Sequence, residues 1–260
     1  MQYLYTKDKK IFGELKYIPN IFPDYTKHFH THFGLALIEK GSLDIAYDLD
    51  TKCKLIDENI AIFNPKQLHC TQANDANGYY VLFLDINWCQ SIQKDFFFKE
   101  NIIDDKTLYR RFKKLFHKIT VDKVTLVEPE FKTIMKKMFE EYTSANVQNE
   151  KDIIVRLKAF ILDNNDASLN VEKLAKYIGY DKSYLIRFFK KEVGITPQQY
   201  ILNEKVNKAK NLLTFSESNT LSDISVSSGF FDQSHLNRNF KNLFGTSPKA
   251  YKKVNIVQDK

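Results

Sequence analysis

Two sets of side chains in this sequence could do chemistry: a group of histidines near the N-terminus and a set of hydrogen-bonding residues near the C-terminus. Residues 27 to 41, KHFHTHFGLALIEKG, place His28, His30 and His32 two apart. On a strand, that spacing points all three to one face. His69 follows in Asn64-Pro65-Lys66-Gln67-Leu68-His69. Such imidazoles can ligate zinc or another divalent ion. They can also form the polar rim of an effector pocket, or serve as ordinary core or surface histidines. Aromatic neighbours (Phe29, Phe33, Phe63, Tyr79, Tyr80, Phe83, Trp88) suit an apolar ligand cavity and a plain core equally.

The second set lies in a repeat. Asp181 to Tyr200, DKSYLIRFFKKEVGITPQQY, aligns without a gap on Asp232 to Tyr251, DQSHLNRNFKNLFGTSPKAY. The shared Asp, Ser, Leu, Arg, Phe, Lys, Gly, Pro and Tyr recur at an offset of 51 residues, which marks a duplicated structural unit. Each copy reads as a short helix (Val171 to Ile178; Leu221 to Ser228), then a glycine, Gly179 or Gly229, where positive φ is cheapest. Asp181 or Asp232 follows as the N-cap of a second helix, and Thr220 with Asp223 makes a capping box at the start of the second copy. In the second helices Leu185 and Phe189, and Leu236 and Phe240, lie four apart and face a core. The other side presents donors and acceptors. Helix, tight turn, and a helix with an apolar back and a polar front is the helix-turn-helix layout. Thr196-Pro197-x-Gln199 then starts one long helix to about Phe215, with Tyr200, Ile201, Val206, Ala209, Leu212 and Leu213 apolar; it would hold the two units at a fixed separation.

On the exposed faces Ser183, Ile186, Arg187, Gln233, Ser234, Asn237 and Arg238 are the candidate base contacts. Arginine pairs with guanine, glutamine or asparagine with adenine, and isoleucine can meet a thymine methyl. Lys182, Lys190, Lys241, Lys249 and Lys252 are the candidate phosphate contacts. A structural ion pair is the competing reading for the repeated Arg187 and Arg238.

The charge distribution agrees. Residues 166–260 hold 15 Lys+Arg against 9 Asp+Glu, a net of +6, and the preceding 165 hold 24 against 23. Nearly all the excess of the +7 chain sits beside the repeat, as a polyanion-binding module requires.

The elements that must position these residues differ along the chain. Residues 1 to about 100 carry short alternating apolar runs between turn signals: Phe33 to Glu39 before Lys40-Gly41-Ser42, Leu43 to Leu49 before Asp50-Thr51-Lys52, and Tyr79 to Ile86 after Asn77-Gly78. They predict a β-sandwich or barrel. Helical stripes follow: Leu108, Phe112, Leu115 and Phe116; Phe131, Ile134, Met135, Met138 and Phe139; then Ile153, Ile154, Leu157, Phe160 and Ile161. They cover the β-domain or one another, or form a dimerisation surface. Asn164 to Ser168 is the linker candidate.

The repeat motifs, GYDKSYLIRFFKK and GFFDQSHLNRNFK, each followed by G-x-[TS]-P-x-x-Y, resemble the DNA-binding region of AraC/XylS-type transcription regulators over about residues 160 to 253. Lys205 stands where that family's joining helix usually has arginine. The histidine stretch is similar to the cupin-type sensor domain of many such regulators. The glutamate that a metal-binding cupin carries after H-x-H is missing; Leu35, Ala36 and Leu37 stand there and Glu39 arrives late. The resemblance implies an α+β chain: residues 1–100 a cupin-like effector-binding β-barrel, 101–163 a helical linker and dimerisation region, and 164–260 an all-α domain with two helix-turn-helix units. His28, His30, His32 and His69 are its expected effector-pocket residues. No cofactor is expected, a metal at the histidines being the less favoured alternative. The expected partners are double-stranded DNA, a small-molecule effector, RNA polymerase and a second copy of the chain.

Neither a nucleophile elbow nor a phosphate loop is present in the sequence, so no enzymatic activity is expected. No apolar run approaches the roughly 20 residues of a membrane span. The polar first ten residues and three cysteines without a C-x-x-C pair imply a cytoplasmic protein. The remaining alternatives are a regulator whose N-terminal domain only dimerises and a metal-dependent cupin enzyme with a DNA-binding tail.

Overall fold

The structure, a computed structural model, describes residues 1–19, 24–49, 51–122, 124, 127–145, 151–215 and 220–252. The chain is mixed α+β and forms two compact units, one of Met1–Asp24 and Phe29–Val147 and one of Tyr25–His28 and Gln148–Lys260.

The strand-rich part holds β1 (Gln2–Tyr5), β2 (Ile11–Ile18), β3 (Tyr25–His28), β4 (Phe33–Lys40), β5 (Ser42–Tyr47), β6 (Thr51–Ile56), β7 (Ile60–Phe63), β8 (His69–Ala73) and β9 (Asn77–Leu84). Helix α1 (Ile86–Ile92), β10 (Phe96–Phe98), β11 (Ile102–Ile103), α2 (Lys106–Thr120), α3 (Glu128–Tyr142) and β12 (Thr143–Ala145) complete it. Two sheets form, one in the order β1-β2-β9-β4-β7-β11 and one in the order β3-β8-β5-β6, beside a small β10-β12 pair. The Lys40-Gly41-Ser42 turn joins β4 to β5 as its residue types predict, with Gly41 at φ +91°. Asp50, of the next predicted turn, lies outside the described residues. Strand spacing allows a β-sandwich or a barrel, and the closed cupin-like barrel that the resemblance implies is not seen among the described residues: pairing stops at edge strands β1 and β11 in one sheet and β3 and β6 in the other. Alternation tells which residues face inward along a strand, and says nothing of whether the outer strands meet.

What closes the larger sheet is helix. Phe33, Leu35 and Leu37 of β4, Tyr80, Leu82 and Leu84 of β9, and Ile60 and Ile62 of β7 share one core with Leu108, Phe112, Leu115 and Phe116 of α2 and Phe131, Ile134, Met135, Met138 and Phe139 of α3. The first two helical stripes are thus spent covering the sheet. Asp105 caps α2 by accepting from the Leu108 N–H, and Pro129 sits in the first turn of α3.

The third stripe falls in the second unit, which holds α4 (Asp152–Asp163), α5 (Val171–Ile178), α6 (Lys182–Val193), α7 (Pro197–Phe215), α8 (Leu221–Ser227) and α9 (Gln233–Phe244). Ile154, Leu157 and Ile161 are its buried residues on α4. The predicted caps form. Asp181 accepts from the Ser183 and Tyr184 N–H groups, Asp232 from the His235 N–H, and Thr220 and Asp223 exchange bonds as a capping box. Thr196 and Gln199 do likewise, with the Thr196 N–H donating to Gln199 Oε1 at 2.9 Å and the Gln199 N–H to Thr196 Oγ1 at 3.3 Å.

Helix α7 is buried nearly all round, which a helix must be when it serves as the common core of two units. Its apolar set buries as expected except Leu212, which is half-buried. Asn203, Glu204, Lys205, Asn207 and Lys210 are buried with it, an outcome that no periodicity signals. Lys210 Nζ stands 5.3 Å from the Phe244 ring centroid, a cation–π contact that lets a buried ammonium keep favourable surroundings. Asn203 and Asn207 each donate to the backbone carbonyl four residues earlier, Gln199 O at 3.0 Å and Asn203 O at 2.9 Å.

Candidate nucleic-acid interface

Each reading helix is held by an apolar back. Leu185, Phe189 and Val193 of α6 are buried, as are Leu236, Phe240 and Phe244 of α9, a stripe at the spacing of 3.6 residues per turn. Opposite that stripe on α6 stands Arg187, with Ser183, Tyr184, Lys190 and Lys191 exposed around it. On α9 the equivalent centre is Arg238, with Ser234, Asn237, Lys241 and Asn242 exposed around it, and Gln233 exposed at the first turn. Neither Arg187 nor Arg238 enters an ion pair among the described residues, so the structural-pair reading of the repeated arginines fails.

The exposed centre differs from the one expected for α6. Ile186 is half-buried at the flank of the apolar stripe, and the Lys182 ammonium is paired with the Glu172 carboxylate on α5. That pair holds the Glu172 carboxyl below the usual range. Lys190, Lys241 and Lys249 are exposed, and Lys252 is half-buried. Tyr184, Lys191 and Asn242 were absent from the expected set. A helical wheel anchored on three buried positions rather than two finds them.

The turns entering the two helices are built alike with one difference. In the first, Tyr180 packs edge-on against Tyr184 at 4.9 Å and 80°. In the second, Phe230 meets His235 at 5.2 Å and 83°. Between Gly229 and Asp232 stand Phe230 and Phe231, whereas only Tyr180 separates Gly179 from Asp181. The additional residue, Phe231, is 81% exposed immediately before the α9 N-cap. A hydrophobic residue so placed is the most accessible one in the second turn, and no polarity pattern marks it.

The histidines are only partly gathered as expected. Strand β3 ends at His28, so the two-residue alternation does not run on to His32, which is half-buried with Nδ1 3.4 Å from Thr31 Oγ1. His28, His30 and His69 are all buried, at 3%, 7% and 4% exposure. His30 and His69 ring centroids lie 5.2 Å apart, with Phe83 at 4.5 Å from His30 and Phe63 at 4.5 Å from His69. His28 Nδ1 donates to Thr26 O at 2.7 Å and His69 Nδ1 to Gln67 O at 3.0 Å. Burial drives the His28 pKa down to about 4, against the milder upward effect of its carbonyl bond.

Residues 174–253 match a helix-turn-helix domain family. The multiple antibiotic resistance protein MarA of Escherichia coli is 36% identical over 97 residues, 37% of this chain and 76% of that protein. The HTH-type transcriptional regulator YbfI of Bacillus subtilis is 24% identical over 230 residues, 83% of this chain and 82% of that one. Among solved structures, ToxT from Vibrio cholerae O395 superposes with a TM-score of 0.60 at 11% identity, covering 93% of this chain and 96% of that one. Another ToxT structure, with an unsaturated fatty acid bound, gives a TM-score of 0.56 over 93% of this chain and 94% of that one, also at 11% identity. The ToxT likeness carries the α+β fold, and the helix-turn-helix match together with MarA and YbfI carries the kinship. This chain belongs to the AraC/XylS family and is a DNA-binding transcription regulator.

Proposed function

We propose that this regulator is controlled by a small-molecule effector bound in its strand-rich part, where His28, His30 and His69 supply the polar contacts. The observation that carries this reading is the buried pair His30 and His69, with ring centroids 5.2 Å apart, set against Phe83 and Phe63. The fatty acid bound in ToxT supports it by likeness of fold. His32, half-buried, takes a place at the rim. The two sheets then do the work expected of a cupin-like domain without closing into one barrel.

On the DNA side the reading assigns base contacts to Ser183, Ile186, Arg187, Gln233, Ser234, Asn237 and Arg238, and phosphate contacts to Lys182, Lys190, Lys241, Lys249 and Lys252. Lys182 reaches a phosphate after exchanging Glu172 for it. The chain acts as a cytoplasmic homodimer that contacts RNA polymerase, with residues 1–100 the effector domain, 101–163 the linker and dimerisation region, and 164–260 the DNA-binding domain.

The test is to select the preferred DNA site with the full chain and then measure its affinity across a panel of metabolites. One or more compounds should shift the affinity by roughly 5- to 150-fold, the usual span of allosteric coupling. A panel without any response overturns effector control and leaves a regulator whose N-terminal part only dimerises.

A further inference from the structure

We propose that the first helix-turn-helix anchors the chain on the DNA backbone through Tyr184 and Lys191, contacts the second lacks, and that the second reads most of the sequence. The inference rests on the base and phosphate contacts assigned above and adds Tyr184 and Lys191 to them. Counted from the buried Leu185 at about 100° per residue, Arg187 stands about 200° away, Lys190 about 140° and Lys191 about 240°. Tyr184, the residue before Leu185, falls at about 260°. A helix lying in the major groove has a phosphate backbone along each side. In that pose Lys190 faces one strand, Lys191 and Tyr184 face the other, and Arg187 stands between them over the bases.

The first observation is how these side chains are held. Tyr184 is exposed, yet its ring packs edge-on against Tyr180 at 4.9 Å and 80° and parallel to Phe188 at 6.0 Å and 13°. A ring fixed on two sides loses little freedom when its hydroxyl donates to a phosphate oxygen. His235, the counterpart of Tyr184 on α9, is half-buried. Lys191 is exposed and enters no ion pair among the described residues, so its ammonium is available to a phosphate. Its counterpart on α9 is the neutral Asn242. Where the first helix sets a cation and a hydroxyl beside one strand, the second sets an amide and a half-buried ring.

The second observation is what each front can say to a base. Helix α6 carries no amide side chain. Its fork-shaped guanine reader is Arg187, while Ser183 bonds to any base, Ile186 is half-buried and Lys182 is paired with Glu172. Helix α9 exposes Gln233 and Asn237, amides that match adenine through two hydrogen bonds, together with Arg238. Asn239, by contrast, is spent on the fold, its side-chain N–H donating to His235 O at 2.8 Å. Phosphate contacts fix position without carrying sequence, so the DNA under α6 is specified sparsely and the DNA under α9 densely.

The experiment uses the full chain. Sites are selected from random DNA, and affinity is measured on a selected and a scrambled duplex across a range of salt. Selection should return one richly specified sub-site beside a sparse one. Tyr184→Phe keeps the ring packing and removes the hydroxyl. It should weaken both duplexes equally, about tenfold, the lower end of what a hydrogen bond to a charged group is worth, and leave the salt dependence unchanged. Lys191→Gln should also weaken both equally, and should lower the slope of log affinity against log salt by about 0.9. Reselection with Asn237→Ala should relax the rich sub-site, and with Arg187→Ala the sparse one. Losses confined to the selected duplex in Tyr184→Phe or Lys191→Gln, no loss in either, equally specified sub-sites, or the reverse pattern on reselection would each overturn the division. Arg238→Ala on the same duplexes keeps the underlying reading separate. A loss on the selected duplex alone upholds the base contacts even where the division fails, and an equal loss on both overturns the base contacts themselves.

Discussion

Arg187 and Arg238 show what a repeated residue can mean once its surroundings are known. An arginine kept in both copies of a duplication serves either the fold or the ligand, and here both stand exposed, outside any ion pair among the described residues. Arg238→Ala should therefore remove about 1–3 kcal/mol of discrimination at one base pair while random-sequence binding changes little. Filter binding or anisotropy on selected and scrambled duplexes measures it, and equal losses on both would make Arg238 a phosphate contact. Phe231 belongs to the same surface by position, since recognition helices read bases with their N-terminal residues. Its 81% exposure makes Phe231→Ala neutral for folding. If the ring lies on a thymine methyl, replacing thymine by uracil in the selected site should weaken the unaltered protein about fourfold, from about 0.8 kcal/mol per methyl-sized group, and the variant not at all. A uracil effect that survives in Phe231→Ala would remove the residue from the interface.

At the scale of the element, the two turn glycines look interchangeable in sequence and are not. Both take positive φ, +76° at Gly179 and +81° at Gly229. A Cβ on Gly179 would meet nothing within 4 Å, so Gly179→Ala should cost only the left-handed backbone term, about 1–2 kcal/mol. At Gly229 a Cβ would come to 2.9 Å from the Asp166 carbonyl carbon and 3.1 Å from Lys205 Cε. Backbone cannot yield as a side-chain tip can, so Gly229→Ala should cost clearly more than its counterpart. Denaturant melts of the two variants settle the order, and equal losses would mean that the Asp166 turn gives way. The helices themselves were legible in detail: Val171–Ile178 is α5 as read, and the caps at Asp181, Thr196, Thr220 and Asp232 all form. Those signals are local, a side-chain oxygen and an N–H two or three residues away. The His28, His30, His32 alternation was also a local reading, and it broke because β3 ends at His28.

For the whole molecule, the helical unit has its own buried core, from Leu157 and Leu174 through Val206 to Phe240 and Tyr251. A fragment of residues 148–260 should fold and bind a single DNA site. If the chain works as a homodimer, that fragment should lose at least about 100-fold against the full chain on a paired site, the avidity of two linked contacts. Equal affinities would argue that the protein reads DNA as a single copy. What the sequence determined by itself was everything with a short range: the duplicated unit, its turns and caps, the polar fronts of its reading helices, and hence the kind of ligand. The tertiary structure alone decided the rest. It left the sheets open among the described residues, spent the stripes of α2 and α3 on the larger one, buried the polar residues of α7, and packed the buried His30 and His69 rings together while leaving His32 half-buried. Those outcomes depend on which distant segments meet, and a residue pattern carries the period of its own element but not the identity of what packs against it.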